Sequence, residues 1–139
     1  MTTDNCPAPS VWPCLNYKDA HAAIRFLCDA FGFDEMLIVP GDSPEFVIHA
    51  ELRWPPGGGI MLGSAGKDEG AFAAMPTGAN SLYCVTDEPD ALFARATAAG
   101  AEVVRGLVDE DHGSRGFTVR DPEGNLWSFG TYRGTRPEC

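Results

Sequence analysis

The feature that most limits how this chain can fold is an internal repeat of its punctuation. Asp19 opens an apolar-periodic run that ends at Gly32, and 32 − 19 = 13; Asp87 opens a second that ends at Gly100, and 100 − 87 = 13. In the first run Ala20, Ala23, Ile24, Leu27, Ala30 and Phe31 recur at helical spacing. Aspartate suits the cap that opens a helix, and glycine the left-handed residue that closes one. Pro89 fits the first turn of the second helix, where its missing N–H costs nothing. Each helix is preceded by a strand-like run, Val11–Tyr17 and Ser81–Val85, and followed by three more. These are Glu35–Val39, Glu45–Arg53 and Ile60–Gly63 in the first half, and Glu102–Val108, Gly116–Arg120 and Asn125–Tyr132 in the second. The turn PPGGG before Ile60 recurs as DPEGN before Leu126. Two copies of one unit constrain a fold far more than either copy alone.

The reading is therefore an α+β chain of two tandem βαβββ modules forming a curved eight-stranded mixed sheet with helices on the convex side. Module one spans about 11–65, a Gly- and Ala-rich linker or loop 66–79, and module two about 80–133, all within a single domain 1–139. A concave inner face must then hold something. With 139 residues, 44% hydrophobic and 22% charged, the composition is that of one globular domain. Twenty acidic residues against ten basic give a net charge of −10. Such a field opposes phosphate backbones, so nucleic acid and membrane are not expected partners, whereas a cationic ligand is compatible with it. The five cysteines (Cys6, Cys14, Cys28, Cys84, Cys139) include no C-x-x-C pair, and the N-terminal run is polar and acidic. A reduced, cytoplasmic protein is expected, with Cys14 and Cys84 as small core or pocket residues.

The run DPEGNLWSF near the C-terminus and AIRFLCDAFGF after the first strand resemble the vicinal oxygen chelate superfamily, over about residues 11 to 133. That superfamily includes glyoxalase I, extradiol dioxygenases, fosfomycin-resistance enzymes and bleomycin-resistance proteins. HAEL (His49–Leu52) is most similar to its PhnB-like branch. The resemblance implies a metal in the enzymes, with one ligand from the first and one from the last strand of each half. Here those positions fall on Trp12, Leu62, Ser81 and Ser128. Indole and isobutyl groups donate no lone pair to such a cation, and lone hydroxyls are poor ligands. No metal and no other cofactor is expected.

What remains is a lining. On the third strand Ile48, Ala50 and Leu52 alternate with His49, Glu51 and Arg53, and on the seventh Phe117 and Val119 alternate with Thr118 and Arg120. The polar set reads either as a surface charge ladder, as a cavity wall, or as a general acid–base pair His49–Glu51. Trp12, Cys14, Leu62, Tyr83, Ser81 and Ser128 complete the expected ligand contacts, with Phe72 a further aromatic. Trp127 and Phe129 are expected to point into the helix-covered core. His21 reads as solvent-facing, His112 as a turn residue near the mouth, and Trp54 as either a mouth aromatic or a turn cover.

The expectation is a metal-independent small-molecule-binding protein, resembling the glyoxalase/bleomycin-resistance group and sequestering an aromatic or cationic antibiotic or metabolite, as a homodimer. The rival is a lyase or isomerase of the same fold using His49 and Glu51 or an unconventional metal site. A structural or protein-interaction module is the weaker third reading, because its concave face would be filled with core residues.

Overall fold

The computed structural model describes residues 10–66, 70–72 and 74–135. Cys6 and Cys139 lie outside these. Module one runs β1 (Cys14–Tyr17), α1 (Ala20–Phe26) with a π-helical last turn (Leu27–Phe31), β2 (Asp34–Pro40), β3 (Val47–Arg53) and β4 (Gly59–Ser64). Module two runs β5 (Ser81–Val85), α2 (Pro89–Ala98), β6 (Glu102–Asp109), β7 (Arg115–Arg120) and β8 (Leu126–Gly130). The tandem βαβββ repeat is present. Its eight strands form two four-stranded mixed sheets, ordered β1-β4-β3-β2 and β5-β8-β7-β6, which no ladder joins. In each, the first strand runs parallel to the last and the other pairs are antiparallel.

The caps show why the helices start and stop where they do. The Asp19 carboxylate accepts from the Ala22 amide at 3.1 Å. Gly32 closes the π-turn at φ 86°, a left-handed conformation that side chains with a Cβ rarely adopt. The second helix departs from expectation at its start. Glu88, not Asp87, is the N-cap residue, and it makes no side-chain cap. The Thr86 hydroxyl accepts from the Glu88 amide instead, while the Asp87 carboxylate pairs with Arg133.

Helix α1 packs on β1, β3 and β4, α2 packs on β6 and β7, and α2 packs against the π-turn that follows α1. Beneath them one aromatic cluster crosses the module boundary. Phe31 lies 5.4 Å from Trp127 and 4.7 Å from Phe129, and Trp54 lies 4.9 Å from Phe33 and 5.7 Å from Phe129. Trp127 and Phe129 thus point into the helix-covered core, as the alternation around Ser128 requires. Phe117 and Val119 are buried likewise.

The third strand breaks the simple alternation. Val39 pairs with His49 but Pro40 pairs with Val47, so Ile48 is the extra residue of a bulge. Val47, Ala50 and Leu52 take the core face, and Ile48 is 59% exposed. Leu62 also belongs to the core, 3% exposed, and Met61 occupies the neighbouring position on the opposite face.

The modules are fastened through the DPEGN turn. The Asp121 carboxylate, buried between them, accepts from the Tyr17 hydroxyl at 2.7 Å, from Asn125 Nδ2 and Trp127 Nε1 at 3.0 Å each, and from the Glu123 and Asn125 amides. Glu123 reaches further, accepting from the Lys18 amide at 2.7 Å and the Asp19 amide at 2.9 Å. In return Trp54 Nε1 donates to the Val85 carbonyl at 3.0 Å.

Candidate ligand-binding site

Cavities lie over the sheet faces turned away from the helices, and another of about 270 Å³ lies on the helix side among Phe31, Trp54 and Leu92. A central cleft of about 720 Å³ lies between β1 and β5. A cavity of about 650 Å³ sits over module one, and one of about 260 Å³ over module two. Parity along the strands decides what they see. On β1, Leu15 and Tyr17 are buried while Cys14 and Asn16 face the open side; on β5, Ser81 and Tyr83 do so. On β8, Ser128 lies between the core residues Trp127 and Phe129.

Cys14 lines both the central cleft and the module-one cavity. Tyr83 lines both the cleft and the module-two cavity. Ser81 belongs to the cleft and Ser128 to the module-two cavity, where its hydroxyl bonds that of Thr118 at 2.8 Å. Leu62 contributes to the module-one cavity from its buried position. Trp12 packs instead over Gly59, where a Cβ would meet its ring at 2.5 Å. Six of the eight sequence-read residues, Cys14, His49, Leu62, Ser81, Tyr83 and Ser128, are therefore spread over three cavities rather than gathered at one point, and Trp12 and Glu51 line none of the three.

His49 lines the module-one cavity, and its Nε2 lies 2.8 Å from Glu51 Oε2. Both side chains are about one-third exposed, at 37% and 35%. Arg53 turns to Asp34 at 3.2 Å and is not part of that pair. A histidine and a carboxylate so placed have the geometry to pass a proton to a molecule in the cavity. Phe72 arches over this cavity, its carbonyl accepting from Asn16 Nδ2 at 3.1 Å. His21 is half-buried and meets the Pro44 carbonyl at 2.9 Å. His112 is exposed at the rim of the module-two cavity, with Ser114 Oγ 3.2 Å from its Nδ1 and its ring against Tyr132.

Two groups that line the cleft, Cys84 and Tyr83, hold their protons. Burial pushes the Cys84 thiol up to about 12, which leaves it a poor nucleophile at neutral pH. Burial also raises the Tyr83 phenol, whose hydroxyl donates to the Tyr132 carbonyl at 2.7 Å.

The donor set does not fit the metal that the enzymes of such a fold use. The four expected ligand positions hold Trp12, packed over Gly59, Leu62, buried with Met61 as its open-face neighbour, Ser81, and Ser128, whose hydroxyl is already engaged by Thr118. Among the described residues no three His, Cys, Asp or Glu side chains group as a metal site needs.

Sequence reasoning missed Phe33, Ile60 and the glycines 57–59, which line the central cleft together with Trp54, read from the sequence as either a mouth aromatic or a turn cover. Trp54 is both a core residue and a cleft residue, 8% exposed. The PPGGG turn gave a local signal for the bend, but nothing local says which cavity a bend overhangs.

Comparison with known proteins agrees with this architecture. The profile of the Glyoxalase/Bleomycin resistance protein/Dioxygenase superfamily matches residues 11–129. The uncharacterized protein Rv0887c of Mycobacterium tuberculosis is 36% identical over 127 residues, covering 88% of this chain and 74% of that one. TioX from Micromonospora sp. ML1 superposes with a TM-score of 0.73 at 32% identity, covering 87% of this chain and 98% of TioX. A glyoxalase/bleomycin resistance protein from Streptomyces sp. CB03234 gives 0.61 at 26% identity, covering 84% and 94%. With the tandem modules, the DPEGN fastening and the open trough in place, the chain belongs to the glyoxalase/bleomycin resistance/dioxygenase superfamily.

Proposed function

We propose that this is a metal-independent small-molecule-binding protein that sequesters an apolar or aromatic antibiotic or metabolite in the trough, acting in the cytoplasm as a homodimer. One observation carries the reading. The central cleft, about 720 Å³, is of the size that holds a drug-sized molecule, and its walls are mostly apolar with a few polar groups. The HAEL run of β3 supports placing the chain in the PhnB-like branch. Exposed Met36, Leu37 and Ile48 on β2 and β3 support a two-fold partner that covers them. A sedimentation mass of twice 14.9 kDa at micromolar concentration is expected, and a mass of one chain removes the dimer.

A second reading rests on the 2.8 Å contact between His49 and Glu51, which supports a lyase or isomerase. Two variants separate them, with a neutral planar dye such as Nile red as the probe and mass spectrometry of any molecule that co-purifies. For a binder, Tyr83→Ala weakens dye affinity by about 1–3 kcal/mol while His49→Gln leaves it unchanged. If a co-purified molecule is converted by the wild type and not by His49→Gln, the binder reading is wrong.

A further inference from the structure

The cleft is walled by strand edges as well as by side chains. Its lining takes in consecutive residues of β1 and β5, Cys14–Leu15 and Ser81–Val85, so both faces of each strand and the edge between them meet it. Both strands are the outer members of their sheets. Backbone direction follows from parity. The Pro13 and Tyr17 carbonyls accept from Met61 and Ala65, so alternate peptide groups of β1 from Pro13 on look toward β4. Those of Cys14 and Asn16 look away from β4, and Cys14 lines the cleft. On β5, Asn80 bonds Leu126 and Thr86 bonds Gly130, so Ser81, Tyr83 and Val85 turn their peptide groups away from β8. Among the described residues no strand pairs with these edges. One of the outward groups is already used as such an edge would be, since the Val85 carbonyl accepts from Trp54 Nε1 at 3.0 Å.

Charge narrows the occupant. Among the described residues that line the cleft, only Arg133 is charged, and Asp87 neutralises it. A charged group carried into the cleft finds no counter-charge there and loses its water. A neutral molecule with alternating N–H and C=O groups meets the outward donors and acceptors of β1 and β5 without that cost.

We infer that the cleft takes a neutral ligand bearing successive backbone-type amides, held in extended form as an added strand against β1 or β5. The inference rests on the small-molecule-binding reading of the same cleft and names the ligand's chemistry.

The test uses the full chain and three probes. The first is a capped neutral tetrapeptide, acetyl-Val-Thr-Val-Thr-amide. The second is the same peptide N-methylated at its two central amides, which keeps the side chains and removes donors. The third is Nile red. Backbone amide NMR is expected to show the parent peptide shifting Cys14, Ser81 and Tyr83 and slowing their hydrogen exchange. N-methylation is expected to weaken binding about tenfold or more, the scale of one or two lost hydrogen bonds. Equal binding of the two peptides overturns the inference, as do shifts confined to other residues. If Nile red enters the cleft and neither peptide does, the amide inference falls and the binding function stands. If no probe binds, both fall.

Discussion

Five donors converge on the single carboxylate of Asp121, three of them from side chains as far apart in sequence as Tyr17 and Trp127. Removing that acceptor strands buried polar groups that have no route to water. Asp121→Ala is expected to cost about 3–5 kcal/mol, read as a lower urea midpoint with an unchanged slope. The same neighbourhood governs stability at alkaline pH. Burial first, and the Asp121 carboxylate after it, holds the Tyr17 phenol well above its ordinary value of 10.0. Burial holds Cys84 at about 12 against 9.0. Above these ordinary values the unfolded chain has released protons that the folded chain retains, so unfolding stability falls as pH rises. The contribution is complete below pH 9, declines from there through Cys84, and falls more steeply past pH 10 through Tyr17. Tyr17→Phe is expected to remove the steeper part of that slope in denaturant titrations at stepped pH. A slope indifferent to the substitution refutes it.

Among the elements, the junction of α1 and α2 depends on a contact between modules. Arg95 of α2 donates from Nε to the Asp29 carbonyl at 2.8 Å and from Nη2 to the Cys28 carbonyl at 3.1 Å, closing the π-turn's open end. A Cβ on Gly32 would sit 3.0 Å from the same guanidinium. Arg95→Ala is expected to cost about 1 kcal/mol, because the fork is solvent-exposed. Arg95→Lys recovers little of it, since a point charge cannot span two carbonyls. Thermal unfolding of the three chains checks this. The first helix's ends were legible, because Asp19 and Gly32 act on their own backbone. The start of α2 was not, because Asp87 is drawn away by Arg133, forty-six residues on, and Thr86 takes its place. The bulge at Ile48 was equally hidden: it comes from the register of β2 against β3, which alternation along one strand does not contain. Of the site, Cys14, Ser81 and Tyr83 were readable from strand parity, whereas Trp54 reached the cleft through a turn whose path only packing determines.

For the whole molecule, the lack of a metal-fitting donor set among the described residues has a direct expectation. Dialysis against a strong chelator, or addition of zinc, nickel or manganese, is expected to leave Nile red affinity and thermal midpoint unchanged, measured by fluorescence and calorimetry. A rise in either on adding stoichiometric metal contradicts the metal-independent reading. A second whole-molecule consequence lies in the turn that Glu123 lends to the other half. The amides of Lys18 and Asp19, at the threshold of the first helix, are satisfied by a side chain 105 and 104 residues downstream. Loop closure over that span must precede the reward. A tandem repeat of elements suggests two autonomous halves, yet a nascent chain that has delivered residues 1–79 from the ribosome still lacks the side chain that satisfies the amides at the start of its first helix. The halves are kinetically bound to each other: folding is expected to proceed as one slow, cooperative event late in synthesis rather than as two quick ones in sequence.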